Sequence, residues 1–381
     1  MDFRLNVRGF KLADFSVVVL CAFLVGCYLA PSLSLAKVII ISVSIVSAVY
    51  FLLNRQSFWQ QIGKEKILLF FLLLTVSSCI WGDVDSFIYA FKSAFVLLFF
   101  VLFISKFKQE IYLHINFILM LIVCSAAILA IIVLYKHLEI HGFNLKARIV
   151  VGYGPIVQTI KTASVFAVAL LIMIWVAFVK SGWYRWICSL LFIPVFFAML
   201  LLQSRGAILS LCLGVLVLFG AYILKSKNAF ANALAGGILL IGVAMIGVYF
   251  NLKFNPKGIS DSERIPIWIQ SIYEAYPDYL WQGLGYSKDQ SIVVSGIKYT
   301  HSHNVFISVF RFAGVIGLLS FVGYLYSRVI KRVVYHNLSA EGILFLAWFA
   351  TAISTLFFDG MYPVYIGPEI FLMLWLPLGL L

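Results

Sequence analysis

Apolar runs long enough to cross a lipid bilayer as helices recur along the whole 381-residue chain. Only 11% of the residues are charged and 63% are hydrophobic, whereas soluble domains carry roughly a quarter charged residues. Because so apolar a chain has too few polar residues to cover its surface in water, its solvent must be lipid. The sequence predicts an all-α polytopic membrane protein, with a single transmembrane domain over residues 1–381. About twelve spans are expected, at 12–30, 36–53, 66–81, 87–105, 112–135, 160–179, 184–202, 206–224, 230–250, 303–326, 340–357 and 363–380.

The distribution of charge between alternate loops predicts the orientation of these spans. One alternate set holds more than half of the 28 lysines and arginines, so the positive-inside rule makes this set and both termini cytoplasmic. The net charge of +13 is thereby explained by membrane topology, and no nucleic-acid partner is expected. The basic residues of the cytoplasmic set are Arg4, Arg8, Lys11, Arg55, Lys64, Lys66, Lys106, Lys108, Lys180, Arg185, Lys225, Lys227, Arg328, Lys331 and Arg332. The short loops of the other set carry few charges, namely Lys37, Asp83, Asp85, Arg205 and Asp359.

Two longer loops are predicted on the outer, non-cytoplasmic face, at 136–161 and at 251–302, the second inserted between the ninth and tenth spans. Within the second loop, apolar residues at helical spacing predict a short amphipathic helix between Ser262 and Tyr276, lying on the membrane surface. Asp261 or Ser262 is a candidate N-cap, and Pro266 suits the first turn. The expected apolar face comprises Ile265, Trp268, Ile269, Ile272, Tyr273 and Tyr276.

Arginines and histidines in unusual settings collect on the same outer face. Taken singly, each has an ordinary explanation as an interfacial anchor, a local ion pair or an interfacial imidazole. The two histidines are two positions apart, so their rings are not expected to face one side in the same way. His303 precedes a predicted helix and is a candidate general base held by a neighbouring hydrogen bond. The residues are Arg148 in ARIVVGYG, Arg205 in QSRGA, Arg264 at the start of the amphipathic segment, and His301 and His303 in THSHN.

These residues suit a reaction at a diphosphate. No metal site is expected, because no HExxH motif, cysteine–histidine cluster or tight acidic group accompanies the histidines. Walker, GxGxxG and GxSxG motifs are absent, and the acids Glu139, Asp278, Asp289 and Asp359 are expected to solvate loops. Three arginines and a histidine can neutralise a diphosphate and activate a hydroxyl nucleophile without a cation. The matching substrate is a lipid-linked diphospho-sugar in the outer leaflet.

Several motifs, taken in order, resemble the O-antigen ligase/polymerase superfamily of bacterial cell envelopes. Each motif alone is weak, and the resemblance depends on their order and their common predicted face. The motifs are ARIVVG from Ala147, SRGA at Ser204 to Ala207, RIPIW from Arg264, GLGY at Gly283 to Tyr286, THSHNVFIS from Thr300, and FAGVIG with Gly314 and Gly317.

The resemblance implies a glycosyltransferase of the lipid-linked oligosaccharide type, in the bacterial inner membrane with a periplasmic active site. The donor would be an undecaprenyl-diphosphate-linked glycan, and in an O-antigen ligase the acceptor would be a sugar hydroxyl of lipid A–core in lipopolysaccharide biosynthesis. Transfer is expected to be metal-independent and inverting, without a cofactor. Carried over residue by residue, the catalytic residues would be His303, Arg264 and Arg205, and the substrate-binding residues would be Arg148, His301 and Asn304.

Two alternatives stay open from the sequence. An O-antigen polymerase of the same superfamily would join undecaprenyl-linked repeats, and the compact loop before THSHN does not decide between polymerase and ligase. A lipid-linked glycan transporter would place charges at the midplane of its spans. Here the charges lie near the ends of the spans, apart from Arg311, about two turns into its helix.

Overall fold

The computed structural model describes residues 12–144, 147–149, 156, 158–225, 264–335 and 338–381. These ranges form a helical bundle with one short antiparallel β-hairpin, in which β1 (Ile292–Val294) pairs with β2 (Ile297–Tyr299). The helices are α1 (Leu12–Leu29), α2 (Leu33–Leu53), α3 (Arg55–Lys64), α4 (Lys66–Ser77), α5 (Phe87–Lys106), α6 (Lys108–Leu113), α7 (Ile115–His141), α8 (Thr159–Val179), α9 (Trp183–Leu201), α10 (Arg205–Lys225), α11 (Arg264–Ala275), α12 (Val305–Tyr335), α13 (Ala340–Asp359) and α14 (Pro368–Leu380).

The described ranges contain eight helices long and apolar enough to cross a membrane, namely α2, α5, α7, α8, α9, α10, α12 and α13. Helices α1, α4 and α14 are shorter and also apolar. Together these helices match the predicted runs other than 230–250, which lies outside the described residues. The prediction of a nearly all-α membrane protein is confirmed, whereas the total of about twelve spans stays a prediction.

Helix α8 lies at the centre of the bundle. Every residue from Thr162 to Val176 is buried, and α8 packs against α7, α9, α10 and α13. A helix that is apolar all round can be covered by lipid or by protein, and α8 is covered by protein along this stretch. Helix α9 differs, because it presents Trp183, Trp186 and Leu190 outward, as expected of a lipid-facing helix with aromatic residues near the interface.

Contacts between residues of different loops at the two ends of the bundle are consistent with the two predicted sets, because each contact joins two residues of the same set. At one end, the Ser287 hydroxyl donates to Oδ2 of Asp83 at 3.2 Å, and both residues belong to the predicted outer set. At the other end, the Arg328 guanidinium lies 3.1 Å from the Glu65 carboxylate, and both belong to the predicted cytoplasmic set. The alternation of the loops is thus internally consistent, and which end faces the cytoplasm stays a prediction.

The loop after α11 is held against α12 by close backbone contacts. The N–H groups of Leu284 and Gly285 donate to carbonyl oxygens of α12 at 2.8 and 3.0 Å, beside a break in this helix at Gly314, whose φ is 63°. A Cβ at Gly283 would lie 2.4 Å from a backbone nitrogen of α12, and a Cβ at Gly285 would lie 2.4 Å from a carbonyl oxygen just after α4. Both positions therefore require glycine. The GLGY and FAGVIG motifs fix the loop that leads to the histidines.

Helix α11 occupies the segment in which the amphipathic helix is predicted. Its buried residues are Ile267, Ser271 and Ala275, on a helix that packs against α12 and β1. Most of the predicted apolar face is exposed, with Ile269 63% and Tyr273 72% exposed, whereas Trp268 is half-buried. The position of this helix on a membrane surface stays a prediction, and the predicted caps at 261 and 262 lie outside the described residues.

Arg311 ties α11 and the hairpin to α12. Its Nε lies 2.7 Å from Oε2 of Glu274, and its two terminal nitrogens donate to the carbonyl oxygens of Gln290 and Ser291 at 3.0 Å each. An arginine within an apolar helix is costly unless its charge is paired. These bonds account for the position of Arg311 without the substrate path that a transporter would require.

We expect Arg311→Met to lower the free energy of unfolding by about 3 kcal/mol, because removal of one partner of a buried ion pair leaves the other uncompensated. The thermal unfolding midpoint of the purified protein in detergent measures this loss. Lys298→Met is the matched control, because its ion pair with Asp289 is exposed and worth at most about 1 kcal/mol. Equal midpoints for the two variants would contradict the role of Arg311.

Candidate active site

A cavity of about 390 Å³ lies where α8 and α12 begin and α13 ends, at the end of the bundle that carries the predicted outer loops. Its volume falls within the range of about 300–1,000 Å³ that is typical of small-molecule sites. Three of the predicted site residues line it together. The lining residues are Arg148, Gln158, Thr159, Ile160, Thr300, His301, His303 and Asp359.

His303 and Asp359 form a hydrogen-bonded pair in this lining. Nδ1 of His303 lies 2.6 Å from Oδ1 of Asp359, and Asp359 is buried. With the carboxylate ionised, Nδ1 carries the proton and Nε2 is left as an acceptor. The His303 side chain is 23% exposed, so the cavity reaches it. This is the form of imidazole that takes a proton from a hydroxyl.

The backbone around His303 has an uncommon conformation. Its φ of 52° lies in the left-handed region, which residues other than glycine rarely adopt. Directly after it, Oδ1 of Asn304 accepts the N–H groups of Phe306 and Ile307 at 2.9 and 3.1 Å and so caps α12. Residues held in this region cost about 1–3 kcal/mol each and cluster at functional sites.

His301 lies beside His303, with the ring centroids 4.1 Å apart. Its Nδ1 lies 2.9 Å from the Thr300 hydroxyl oxygen, and its Nε2 has no hydrogen-bond partner within the described ranges. Burial is the main cause that lowers the pKa of His301 to about 3; the neighbouring His303 and Lys161 act in the same direction, and the Asp359 carboxylate acts in the opposite direction. The ring is therefore neutral near pH 7.

Arg148 reaches the cavity from the loop between α7 and α8. Its Nε donates to the carbonyl oxygen of Leu202 at 3.2 Å, and the N–H group of Ile149 donates to the carbonyl oxygen of Leu201 at 3.3 Å. These two bonds dock the loop onto the turn between α9 and α10. The Arg148 side chain is exposed and faces the cavity that the histidines line.

Arg205 lies outside the lining of this cavity but follows the same turn. It is exposed and begins α10. The next residue, Gly206, faces α13, since a Cβ at this position would lie 3.7 Å from the Cβ of Phe358. Arg205 therefore begins its helix next to the last turn of α13, which carries Asp359.

Arg264 also lies outside the lining of this cavity. It begins α11, and Trp268, one turn later, packs edge-on against Phe357 with ring centroids 5.7 Å apart. Phe357 precedes Asp359 by two positions. Each predicted arginine thus lies in a segment that lines the cavity at the end of α13 or contacts the last turns of that helix. Their joint contact with one diphosphate stays a prediction.

Lys161 supplies a charge at the site that the sequence did not predict. Its Nζ lies 2.5 Å from Oε1 of Glu369, a buried acid at the start of α14. Lys161 and Asp359 line a small adjoining pocket together, and Nζ lies 5.6 Å from the ring centroid of Tyr365. The ion pair joins α8 to α14 beside the histidines.

Two expectations from the sequence are wrong. Asp359 is not a loop-solvating acid but the buried partner of His303. The two histidines do share one side, because both His301 and His303 have a ring nitrogen within 4 Å of the Asp359 carboxylate. The signal in the sequence is weak, since an acid at the outer end of an apolar run has no visible link to a histidine 56 positions earlier. Asn304, predicted to bind substrate, is buried and caps a helix, so its substrate contact stays a prediction.

The same three side chains are a candidate metal-ligand set. The ligand atoms of His301, His303 and Asp359 all lie within 4.8 Å of one another, and two imidazoles with a carboxylate suit Zn²⁺ or Fe²⁺. However, the 2.6 Å separation of His303 from Asp359 is that of a charge-assisted hydrogen bond. The geometry favours the hydrogen-bonded pair, and the expected absence of a metal stays a prediction.

We expect the protein to lose stability as the pH falls from about 6.5 towards 3, through His301. A base whose pKa is lowered by folding binds more protons in the unfolded chain, so acidification favours unfolding. The thermal unfolding midpoint in detergent, followed from pH 7 down to about pH 4, should fall more steeply for the wild type than for His301→Gln. Exposed His114 provides the control His114→Gln, which should keep the wild-type slope. Parallel curves for wild type and His301→Gln would contradict the buried neutral ring.

A family model described as O-antigen ligase matches residues 190–322, about a third of the chain. Neither the curated proteins nor the solved structures include a match to the chain. The matched stretch contains the predicted site residues Arg205, Arg264, His301, His303 and Asn304, while Arg148 precedes it and Asp359 follows it. This match confirms the resemblance to the O-antigen ligase/polymerase superfamily that the sequence motifs predict.

Proposed function

We propose that the chain is an O-antigen ligase, which transfers a glycan from undecaprenyl diphosphate to a sugar hydroxyl of lipid A–core on the periplasmic face of the inner membrane. The proposal rests on one observation, the 2.6 Å hydrogen bond between His303 and Asp359 in a cavity that also presents Arg148. The O-antigen ligase match over residues 190–322 supports it. A base beside guanidinium groups is the arrangement that attack of a hydroxyl on a glycosyl diphosphate requires.

His303 acts as the general base of the proposed reaction. The acceptor hydroxyl donates to Nε2, which takes the proton as the acceptor oxygen attacks the anomeric carbon of the donor. Asp359 orients the ring and stabilises the imidazolium that forms, as the buried carboxylate does in a catalytic triad. The new bond joins the acceptor oxygen to the anomeric carbon, and the bond from this carbon to the diphosphate oxygen breaks. One displacement of this kind inverts the anomeric configuration.

The arginines act on the leaving group. Negative charge grows on the diphosphate as the anomeric bond breaks, and fixed positive groups stabilise this transition state more than the ground state. A guanidinium offers two parallel donors to a pair of phosphate oxygens, which an ammonium group cannot do. With Arg148, Arg205 and Arg264 in this role, we propose that transfer needs no divalent cation.

His301 acts as a positioning residue for the base. It packs beside His303 and is buried and neutral. A second positive charge at this distance would oppose protonation of His303 during the reaction. A neutral ring fills the space without that repulsion.

His303→Asn and Asp359→Asn are each expected to lower kcat by at least about 100-fold, since a positioned base contributes about 10²–10⁴-fold. Asparagine is chosen at 303 because it tolerates a left-handed backbone, so the loss reports on the imidazole and not on the fold. The assay combines purified protein, undecaprenyl-linked glycan and lipid A–core, with and without chelator. Arg264→Ala belongs to the same series and is expected to abolish transfer.

Asp278→Asn is the matched control for this series, because Asp278 is exposed, lies outside the cavity lining and should be dispensable for the chemistry. Transfer that persists in both His303→Asn and Asp359→Asn would refute the proposed base. Transfer that stops on addition of chelator would refute metal independence and favour the three-ligand metal site. Protein levels in the membrane are measured for every variant.

A strain that lacks the gene is expected to accumulate undecaprenyl-linked polymer and to make core-only lipopolysaccharide, because a missing ligase leaves the finished glycan without its acceptor. Electrophoresis of lipopolysaccharide with detection of the lipid-linked polymer measures both products. Core that carries a single repeat would identify a polymerase instead. Uptake of lipid-linked glycan into sealed vesicles by purified protein, without transfer, would identify a transporter.

A further inference from the structure

A second cavity, of about 580 Å³, lies beside the candidate active site. Thr300 lines both cavities, and its hydroxyl oxygen lies 2.9 Å from Nδ1 of His301. The volume again falls within the range of about 300–1,000 Å³ for small-molecule sites. The proposed chemistry assigns no ligand to this second cavity.

Lysines give the second cavity its charge. Lys298 is paired with Asp289 at 3.2 Å, whereas Lys37 and Lys288, which also line it, form no ion pair within the described ranges. The ammonium group of Lys37 lies 5.4 Å from the ring centroid of Tyr365. Because the charges of Lys298 and Asp289 offset each other, Lys37 and Lys288 give the lining of the cavity a net positive charge, which suits an anionic ligand.

Tyrosines give the second cavity its shape. Tyr89, Tyr299 and Tyr365 line it, and each ring is half-buried. The Tyr89 ring is held parallel to the buried ring of Tyr286, with centroids 6.4 Å apart and an interplanar angle of 10°. Sugar rings stack their C–H faces on such aromatic faces, while phenol hydroxyls and ammonium groups bond to sugar hydroxyls. A site for an anion alone would not need aromatic rings in its lining.

Lys161 and Tyr365 connect the second cavity to the chemistry. The Tyr365 ring has Lys37 at 5.4 Å and Lys161 at 5.6 Å from its centroid. Lys161 in turn lines a pocket with Asp359, the partner of the proposed base. A saccharide on Tyr365 therefore lies one side chain away from the site of proton transfer.

We infer that the second cavity binds the acceptor through a phosphorylated sugar, with Lys37 and Lys288 on its phosphate and Tyr365 against its ring. The inference rests on the proposed function for the reaction and adds the chemical class of the acceptor. The diphosphate of the donor is assigned to the arginines, whose planar groups suit it better than lysines do.

The double variant Lys37→Gln with Lys288→Gln tests this inference in the transfer assay, with two acceptors. One is native phosphorylated lipid A–core, and the other is the same material after chemical removal of its phosphates. We expect the KM of the phosphorylated acceptor to rise at least about 10-fold, which corresponds to about 1.4 kcal/mol. The KM of the dephosphorylated acceptor, the KM of the donor and kcat should stay unchanged. The control is Lys136→Gln, an exposed lysine paired with Glu139 and outside both linings.

Several outcomes would overturn the inference. These are an unchanged KM for the phosphorylated acceptor, an equal rise for both acceptors, and a rise confined to the donor, which would assign the lysines to the diphosphate. If the wild type transfers to neither acceptor, the proposed function fails, and the inference is then tested by measuring the binding of core oligosaccharide to the protein. The wild type must then bind phosphorylated core oligosaccharide more tightly than its dephosphorylated form, and the double variant must lose this preference. Competition by phosphatidylglycerol without binding of the oligosaccharide would assign the cavity to a lipid headgroup and overturn it.

Discussion

The hydrogen bond between His303 and Asp359 joins the start of α12 to the end of α13, and the geometry of the candidate site depends on it. It determines which imidazole nitrogen carries the proton and which one faces the cavity. It also provides a buried carboxylate with the partner that such a charge requires away from water. The proposed roles of the arginines and of the second cavity depend on a base whose Nε2 can accept a proton.

The loop that carries His303 is positioned by backbone contacts and by one arginine. Near a bilayer, backbone polar groups that are not bonded to water must be satisfied by the protein itself. The N–H groups of Leu284 and Gly285 find their acceptors in α12, and the absence of side chains at Gly283 and Gly314 permits the approach. Arg311 then fixes α11 and the hairpin to the same helix. The order of the glycine and histidine motifs along the chain thus has a structural reason, since each glycine contact stabilises the loop before the histidines.

Much of the fold could be predicted from the sequence, because spans, loop charge and the amphipathic helix depend on local hydropathy and periodicity. The arginines could be predicted because a charge at the edge of an apolar run is conspicuous. The role of Asp359 could not, since its bond to His303 depends on how two helices pack. The same holds for Lys37 and Lys161, which lie near span ends in the sequence and come together only around the ring of Tyr365. Local pattern therefore predicts the elements, while the pairing of acids and bases across the site depends on tertiary packing.

The burial of α8 has a consequence for how the site responds to its membrane. A bilayer that is thicker or thinner than the hydrophobic length of a span acts on the helices in contact with lipid, which tilt or distort to compensate. Helix α9, with Trp183 and Trp186 outward, is a helix on which such a mismatch acts directly. Helix α8, which carries Lys161 at its first turn, has protein on every side from Thr162 to Val176. Because α8 does not contact lipid over this stretch, a change in bilayer thickness does not act on it directly. Both proposed substrates nevertheless reach the site from the lipid.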